Sequence, residues 1–277
     1  MNRLGIEMLT TLGMPPVDYI TLAAELGCAE VSTGLSGLPL SMFGMKDVFY
    51  PEWSLRDDPA LRREMIAAMR DTGVGIGLGE GFRASAGADV RSFAGDLDIM
   101  AELGARCINA ICMDDDLVAG SSGAKDQLAL LADMAITRGL IFTVEFFPPS
   151  GIKNLELALE VAAHIGKGRA RVLLDSMHFF RSGGTVAEIA ALDPDWIGYV
   201  QLADSRLAPH DDAYFMEAMF GRGVPGEGEL PLRELVAALP ADVTISLEVP
   251  RLEDLRSGVS PRDHAARCVA AARSLGV

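Results

Sequence analysis
The chain has 277 residues, 49% hydrophobic and 23% charged, which is the composition of a globular protein with length enough to bury a substantial core. Asp and Glu number 39 against 24 for Lys and Arg, a net charge of −15 that repels a phosphate backbone or an anionic membrane surface and argues against nucleic acid or membrane as partner. No stretch approaches the ~20 apolar residues that span a bilayer.

The opening Met-Asn-Arg-Leu-Gly-Ile-Glu-Met-Leu lacks a basic head, an apolar run and a cleavage site, so it reads as a first strand rather than a secretory signal. Strands are expected at 3–9, 29–34, 74–80, 106–113, 140–147, 170–176, 196–203 and 243–249. Each is followed by a segment of helical period, at 15–27, 58–72, 90–103, 124–138, 154–165, 185–191, 231–239 and 260–274. Pro15-Pro16, Asp58-Pro59 and Ser260-Pro261 open helices, and Gly27, Gly73, Gly104, Gly139 and Gly166 close five of them. The fifth helix carries Leu155, Ala158, Leu159 and Ala162 on one stripe, which packs on a sheet.

Eight βα units averaging about 35 residues predict an α/β fold, a single (βα)8 TIM barrel over residues 1–277. A doubly wound open sheet competes less well, because no Gly-x-Gly-x-x-Gly follows the first strand. The long connections 35–57 and 204–230 would lie at the carboxyl face of such a barrel, where active sites are built. Cys28, Cys107, Cys112 and Cys268 form no metal or redox motif and read as buried small hydrophobes in a reducing cytoplasm.

Four successive strands end on an oxygen-bearing side chain: Glu145, Asp175, Gln201 and Glu248. In a barrel these converge at the mouth, since neighbouring strands lie ~4.8 Å apart. Three carboxylates gathered there without a counter-ion would raise one another's pKa, so one divalent metal ion explains them economically. All-oxygen ligation suits Mn²⁺ or Mg²⁺ better than zinc.

The blocks Thr143-Val-Glu-Phe-Phe-Pro148, Leu174-Asp-Ser-Met-His-Phe-Phe-Arg-Ser-Gly183, Gly198-Tyr-Val-Gln-Leu-Ala-Asp204, Pro225-Gly-Glu-Gly-Glu229 and Ser246-Leu-Glu-Val-Pro250 resemble the xylose-isomerase-like sugar phosphate isomerase/epimerase family. That family shares its fold with apurinic-site endonucleases, and the resemblance covers roughly residues 140–250. It implies a barrel holding one divalent ion on Glu145, Asp175, Gln201 and Glu248, with Glu145 and Glu248 moving the proton and His178 touching a substrate oxygen. Gln201 stands where ketose 3-epimerases of the family carry His, as in the hydroxypyruvate-isomerase-like branch.

The expected activity is isomerisation or epimerisation of a small hydroxy-carbonyl substrate through a metal-stabilised enolate. The alternative is a lyase using the same site to expel a hydroxyl β to the abstracted proton, acting on a cyclic polyol ketone or dehydroshikimate-like acid. A nuclease relative fits poorly with four histidines and an acidic surface, and a non-catalytic barrel would not need all four ligands.

Arg206 and Arg222 are candidate anion contacts, and Glu80 and Asp114 end the third and fourth strands facing the mouth. The loop Gly221–Glu229 is expected to bend over the metal site and bring Glu229 behind the ligands; Phe146, Phe147, Phe179 and Phe180 are candidates for an apolar wall. His210-Asp211-Asp212 reads as a solvated loop, and His164 and His264, on helices, as structural. The partner is a small molecule, and assembly into a homo-oligomer is left open.

Overall fold
The computed structural model describes residues 2–38, 40–47, 49–114, 117, 122–208 and 214–277. Eight parallel strands, β1 (Leu4–Ile6), β2 (Glu30–Thr33), β3 (Gly75–Ala84), β4 (Cys107–Cys112), β5 (Ile141–Glu145), β6 (Ala170–Asp175), β7 (Ile197–Leu202) and β8 (Ile245–Leu247), pair in sequence order, and β8 closes on β1. The expected outer helices are α1 (Pro16–Glu25), α2 (Pro59–Thr72), α3 (Ala94–Glu102), α4 (Ser122–Ile136), α5 (Leu155–Ile165), α7 (Val186–Ala191), α9 (Leu232–Ala238) and α11 (Pro261–Ser274). Three further short helices, α6 (Ser176–Arg181), α8 (Tyr214–Phe220) and α10 (Leu252–Arg256), lie in the connections that leave β6, β7 and β8. They run only one or two turns, too short to reveal a helical period in the sequence. No helix among the described residues is long and apolar enough to cross a membrane.

β1 and β3 end furthest from expectation, and both differences shape the mouth. β1 stops at Ile6, because the chain winds into a 3-10 turn over Met8–Thr11 whose Thr10 hydroxyl donates to the Leu247 carbonyl at 2.6 Å. Glu7 therefore stands at the end of the strand. β3 continues to Ala84 through an irregularity in register between Gly79 and Phe82, which carries it above the rim.

Alternation along the strands sorts the core into two layers. On β6, Val172 and Leu174 join the large apolar layer between sheet and helices, while Leu173 joins Leu78, Cys107 and Tyr199 in a small cluster inside the barrel. Above that plug the inward positions are polar. All four cysteines are unpaired and buried, as the sequence suggested.

The helix starts follow the predicted chemistry. Asp58 accepts hydrogen bonds from the N–H groups of Ala60 (2.9 Å) and Leu61 (3.0 Å), with Pro59 in the first turn, and Gly73 ends α2 at φ 78°, a left-handed backbone that suits glycine. Asp58→Ala removes the acceptor and should cost about 1 kcal/mol. Thermal unfolding should show a loss of about 2–4 °C for a protein of this size, and Asp58→Asn should recover most of it.

Candidate active site at the carboxyl mouth of the barrel
Parallel register carries the inward side chains to one level. Asp175 pairs with Gln201, Gln201 with Ser246, and Glu248 follows two residues later on the same face. Glu145 ends β5, Glu80 lies on β3, Asn109 on β4, and Glu7 just beyond β1. Glu7, Asp175, Gln201 and Glu248 are all buried. The four expected residues therefore stand at the ends of neighbouring strands around one mouth, with Glu7 beside them.

Hydrogen bonds fix these groups. Asn109 Nδ2 donates to Glu145 Oε2 at 2.5 Å, Tyr199 donates its hydroxyl to Glu7 Oε1 at 2.8 Å, and Gln201 Nε2 donates to Glu7 Oε2 at 3.2 Å. That last bond orients the amide and leaves Gln201 Oε1 buried with no donor. Arg222 is buried among the carboxylates, its Nη1 bonded to Asp175 Oδ2 and 2.9 Å from Glu248 Oε2, while its Nε donates to the Ala218 carbonyl at 2.7 Å. Glu7, Glu80 and Glu248 bring oxygens within 4.8 Å of one another.

Crowding of like charge shows in the protonation of these groups. Burial, then the Asp175 charge, pushes Glu145 up to about 7, with the Asn109 bond acting the other way. Burial and then Glu7 raise Glu80 to about 8, and burial lifts Glu248 well above the carboxylate range despite Arg222. Burial would raise Asp175 too, but Arg222 and His178 outweigh it and hold the carboxyl at about 2. His178 is brought down to about 4, chiefly by burial, so the imidazole is neutral near pH 7.

His178 is placed by both of its neighbours. Its backbone N–H donates to Asp175 Oδ1 at 2.9 Å, its Nδ1 lies 2.7 Å from the Tyr214 hydroxyl on α8, and its Nε2 is 3.9 Å from Glu145 Oε1. A cavity of about 470 Å³ opens above, lined by Glu80, Glu145, His178, Arg222 and Glu248, with Phe147 and Phe215 among its apolar walls.

Other expected residues fall elsewhere. Arg206 is exposed, its carbonyl accepts from Arg181, and its side chain is not part of the cavity lining. Asp114 accepts from the Ala86 N–H and ties the β3 and β4 connections together at the rim, also outside the lining. Glu229 is exposed and accepts from the Leu207 N–H at 3.0 Å, so it does not back the ligands. Asp204 organises that loop instead, accepting from the N–H groups of Ser205 and Gly226 (each 2.8 Å) and Leu230 (3.1 Å). Of the four phenylalanines only Phe147 lines the cavity; Phe146, Phe179 and Phe180 belong to the outer core. His164 lies 3.3 Å from Asp126 at the surface, and buried His264 is 2.7 Å from the Val249 carbonyl. His210-Asp211-Asp212 lies outside the described residues.

Among the described residues the acidic group whose oxygens come close enough to share one cation is Glu7, Glu80 and Glu248. Of the expected acidic ligands only Glu248 belongs to it, and Gln201, whose amide donates to Glu7, keeps a donorless oxygen beside it, a hard all-oxygen set that suits a divalent cation. Fold and site together define a (βα)8 barrel of the kind that gathers buried carboxylates at the carboxyl ends of its strands. The chain belongs to the xylose isomerase-like TIM barrel family, whose profile matches residues 20–271. No curated protein matches it in sequence. Among solved structures, the IolI protein with a bound zinc atom shares 17% identity over 99% of this chain and 97% of that one, TM-score 0.77. The probable 3-DHS dehydratase AsbF of Bacillus anthracis shares 15% over 99% of both chains, TM-score 0.73. A D-psicose 3-epimerase solved with D-fructose shares 16% over 99% of both, TM-score 0.72. At such identities the likeness is one of fold.

The raised carboxyls make stability depend on pH in a definite direction. A carboxyl whose folded pKa exceeds its unfolded value stabilises the fold fully below the unfolded pKa, and that contribution is lost as pH rises through the folded pKa. With Glu145 at about 7 and Glu80 at about 8 against 4.5 unfolded, protein kept in chelator should lose thermal stability between pH 5 and pH 8. Glu80→Gln should flatten that slope, and adding Mn²⁺ at pH 8 should restore the lost stability; fluorimetric melts across the range test both.

Proposed function
We propose that this protein is a divalent-metal-dependent isomerase or epimerase of a small hydroxy-carbonyl compound, with Glu145 and Glu248 as the acid/base pair. The observation that carries the reading is the pair of cavity-lining glutamates with raised pKa, Glu248 buried and Glu145 half-buried, on opposite arms of one cavity, with Asp175 kept ionised between them by Arg222. A base poised near 7 suits proton transfer at neutral pH.

Glu145, Asp175, Gln201 and Glu248 would hold the metal. Mn²⁺ or Mg²⁺ bound there supplies Lewis-acid stabilisation of the negative charge that develops on the substrate oxygen. The protein's own groups do the rest. Glu145 takes the proton next to the carbonyl, its Oε2 pinned by Asn109 so that the carboxylate does not swing. Glu248, three strands further round the barrel, returns a proton to the other face or the neighbouring carbon. Neutral His178, with Nδ1 engaged by Tyr214, presents Nε2 to a substrate oxygen. Phe147 keeps water from the reacting carbon. Unpaired buried cysteines support a reducing, cytoplasmic setting.

A lyase reading of the same site is favoured by Glu80. Its carboxyl, protonated near neutrality at the cavity wall, is an acid able to donate to a departing hydroxyl.

The test is incubation in D₂O with hydroxypyruvate, ketoses and cyclic polyol ketones. Isomerase or epimerase action incorporates deuterium at carbon without loss of water, whereas the lyase releases water. Glu145→Gln and Glu248→Gln should each lose on the order of 10²–10⁴ in exchange rate. Chelation should abolish turnover and Mn²⁺ should restore it. Full exchange by Glu145→Gln would overturn the assignment.

A further inference from the structure
The cavity is rich in carboxylates, and nearly every cation that lines it is already engaged. Arg222 lies on Asp175 and Glu248, and Arg56 forms a bidentate pair with Asp96, both contacts 2.8 Å. Arg83 is the exception: it lines the same cavity and, among the described residues, has no hydrogen bond or ion pair.

Its position follows from the strand that overran its expected end. Arg83 pairs in register with Ile111 on β4, so the two side chains share a face, and Ile111 lies two residues beyond Asn109, the residue that holds Glu145. Two residues of strand advance about 6.6 Å. The guanidinium thus belongs to the level directly above the proton-transfer carboxylates. The apolar part of the cavity wall includes Ile111, Met113, Phe147 and Phe215. An anionic group entering such a wall loses hydration and meets nearby acids, and only a fixed cation offsets that cost.

We infer that Arg83 is the anion-binding end of the substrate pocket and that the substrate is a hydroxy-oxo carboxylic acid, its carboxylate held by Arg83 while its carbonyl end reaches Glu145 and Glu248. A carboxylate matches the planar fork of one guanidinium and carries the single charge that one guanidinium balances, whereas a phosphate dianion brings a second charge that this one guanidinium leaves unbalanced. The inference rests on the proposed proton-transfer site for the orientation of the substrate and goes beyond it in naming the far end. Neither Arg206 nor Arg222, the two arginines expected from sequence to take this part, is placed to do so: one is off the cavity and the other is neutralised beneath it.

The experiment is calorimetric titration of the Mn²⁺-loaded protein with 5-keto-D-gluconate, with D-fructose as the neutral six-carbon counterpart and with D-fructose 6-phosphate. The keto acid should bind at least tenfold more tightly than D-fructose, and the preference should shrink as salt is raised. Arg83→Ala should bring the ratio to near one, and Arg83→Lys should retain part of it. Arg83 is exposed at the rim, so both variants should melt within a few degrees of the parent, which separates a lost contact from a lost fold. The inference is overturned if the keto acid binds no better than D-fructose, if Arg83→Ala keeps the preference, or if the phosphate binds tenfold better than the carboxylate. Exchange in D₂O measured on the same samples keeps the two readings apart: exchange without acid preference removes the subsite alone, and acid preference without exchange removes the proton-transfer reading alone.

Discussion
The constraint on which the rest depends is the confinement of five acids, Glu7, Glu80, Glu145, Asp175 and Glu248, at the mouth of one barrel with a single buried arginine between them. Like charges at this spacing cannot all remain ionised out of water. Arg222 fixes one that does: Asp175 stays charged, while Glu80, Glu145 and Glu248 are driven toward the neutral form. Most of the chain's 39 acidic residues lie away from this mouth, but these few crowd like charge in a way that a bound cation would relieve.

The scaffold maintains that arrangement by division of labour. Inward positions near the mouth are polar because the apolar layer that stabilises the barrel lies on the other side of the sheet. The connection after β7 is folded around Asp204, and from it come α8, with Tyr214 against His178, and Arg222 against Asp175. The groups that tune the acids thus come from loops, while the acids themselves come from strands.

That distinction explains how much was legible in the sequence. Glu145, Asp175, Gln201 and Glu248 each close a β-branched run, so the repeat of the fold exposes them. Glu7 hid inside an expected strand over 3–9, and only the Thr10 bond to Leu247, a contact across most of the chain, shows where β1 ends. Arg83 lay past the expected end of the third strand because the register shift near Gly79 cannot be read locally. The expected anion role of Arg222 gave way to a buried counter-ion role for the same reason: its partner Asp175 is 47 residues away, and no local pattern records the pairing. Helices α6, α8 and α10 were missed because one or two turns carry too little periodicity.

The two-sided sheet has a further consequence for how such a protein changes over generations. Residues outside the strands answer to packing, where one lost methylene is felt. Residues inside, above the small plug of Leu78, Cys107, Leu173 and Tyr199, answer to charge and to whatever the cavity holds. Selection on chemistry and selection on stability therefore act on alternate positions of the same strand. A lineage can exchange one set while keeping the other, and chains sharing as little as 14–19% of their residues can keep one barrel.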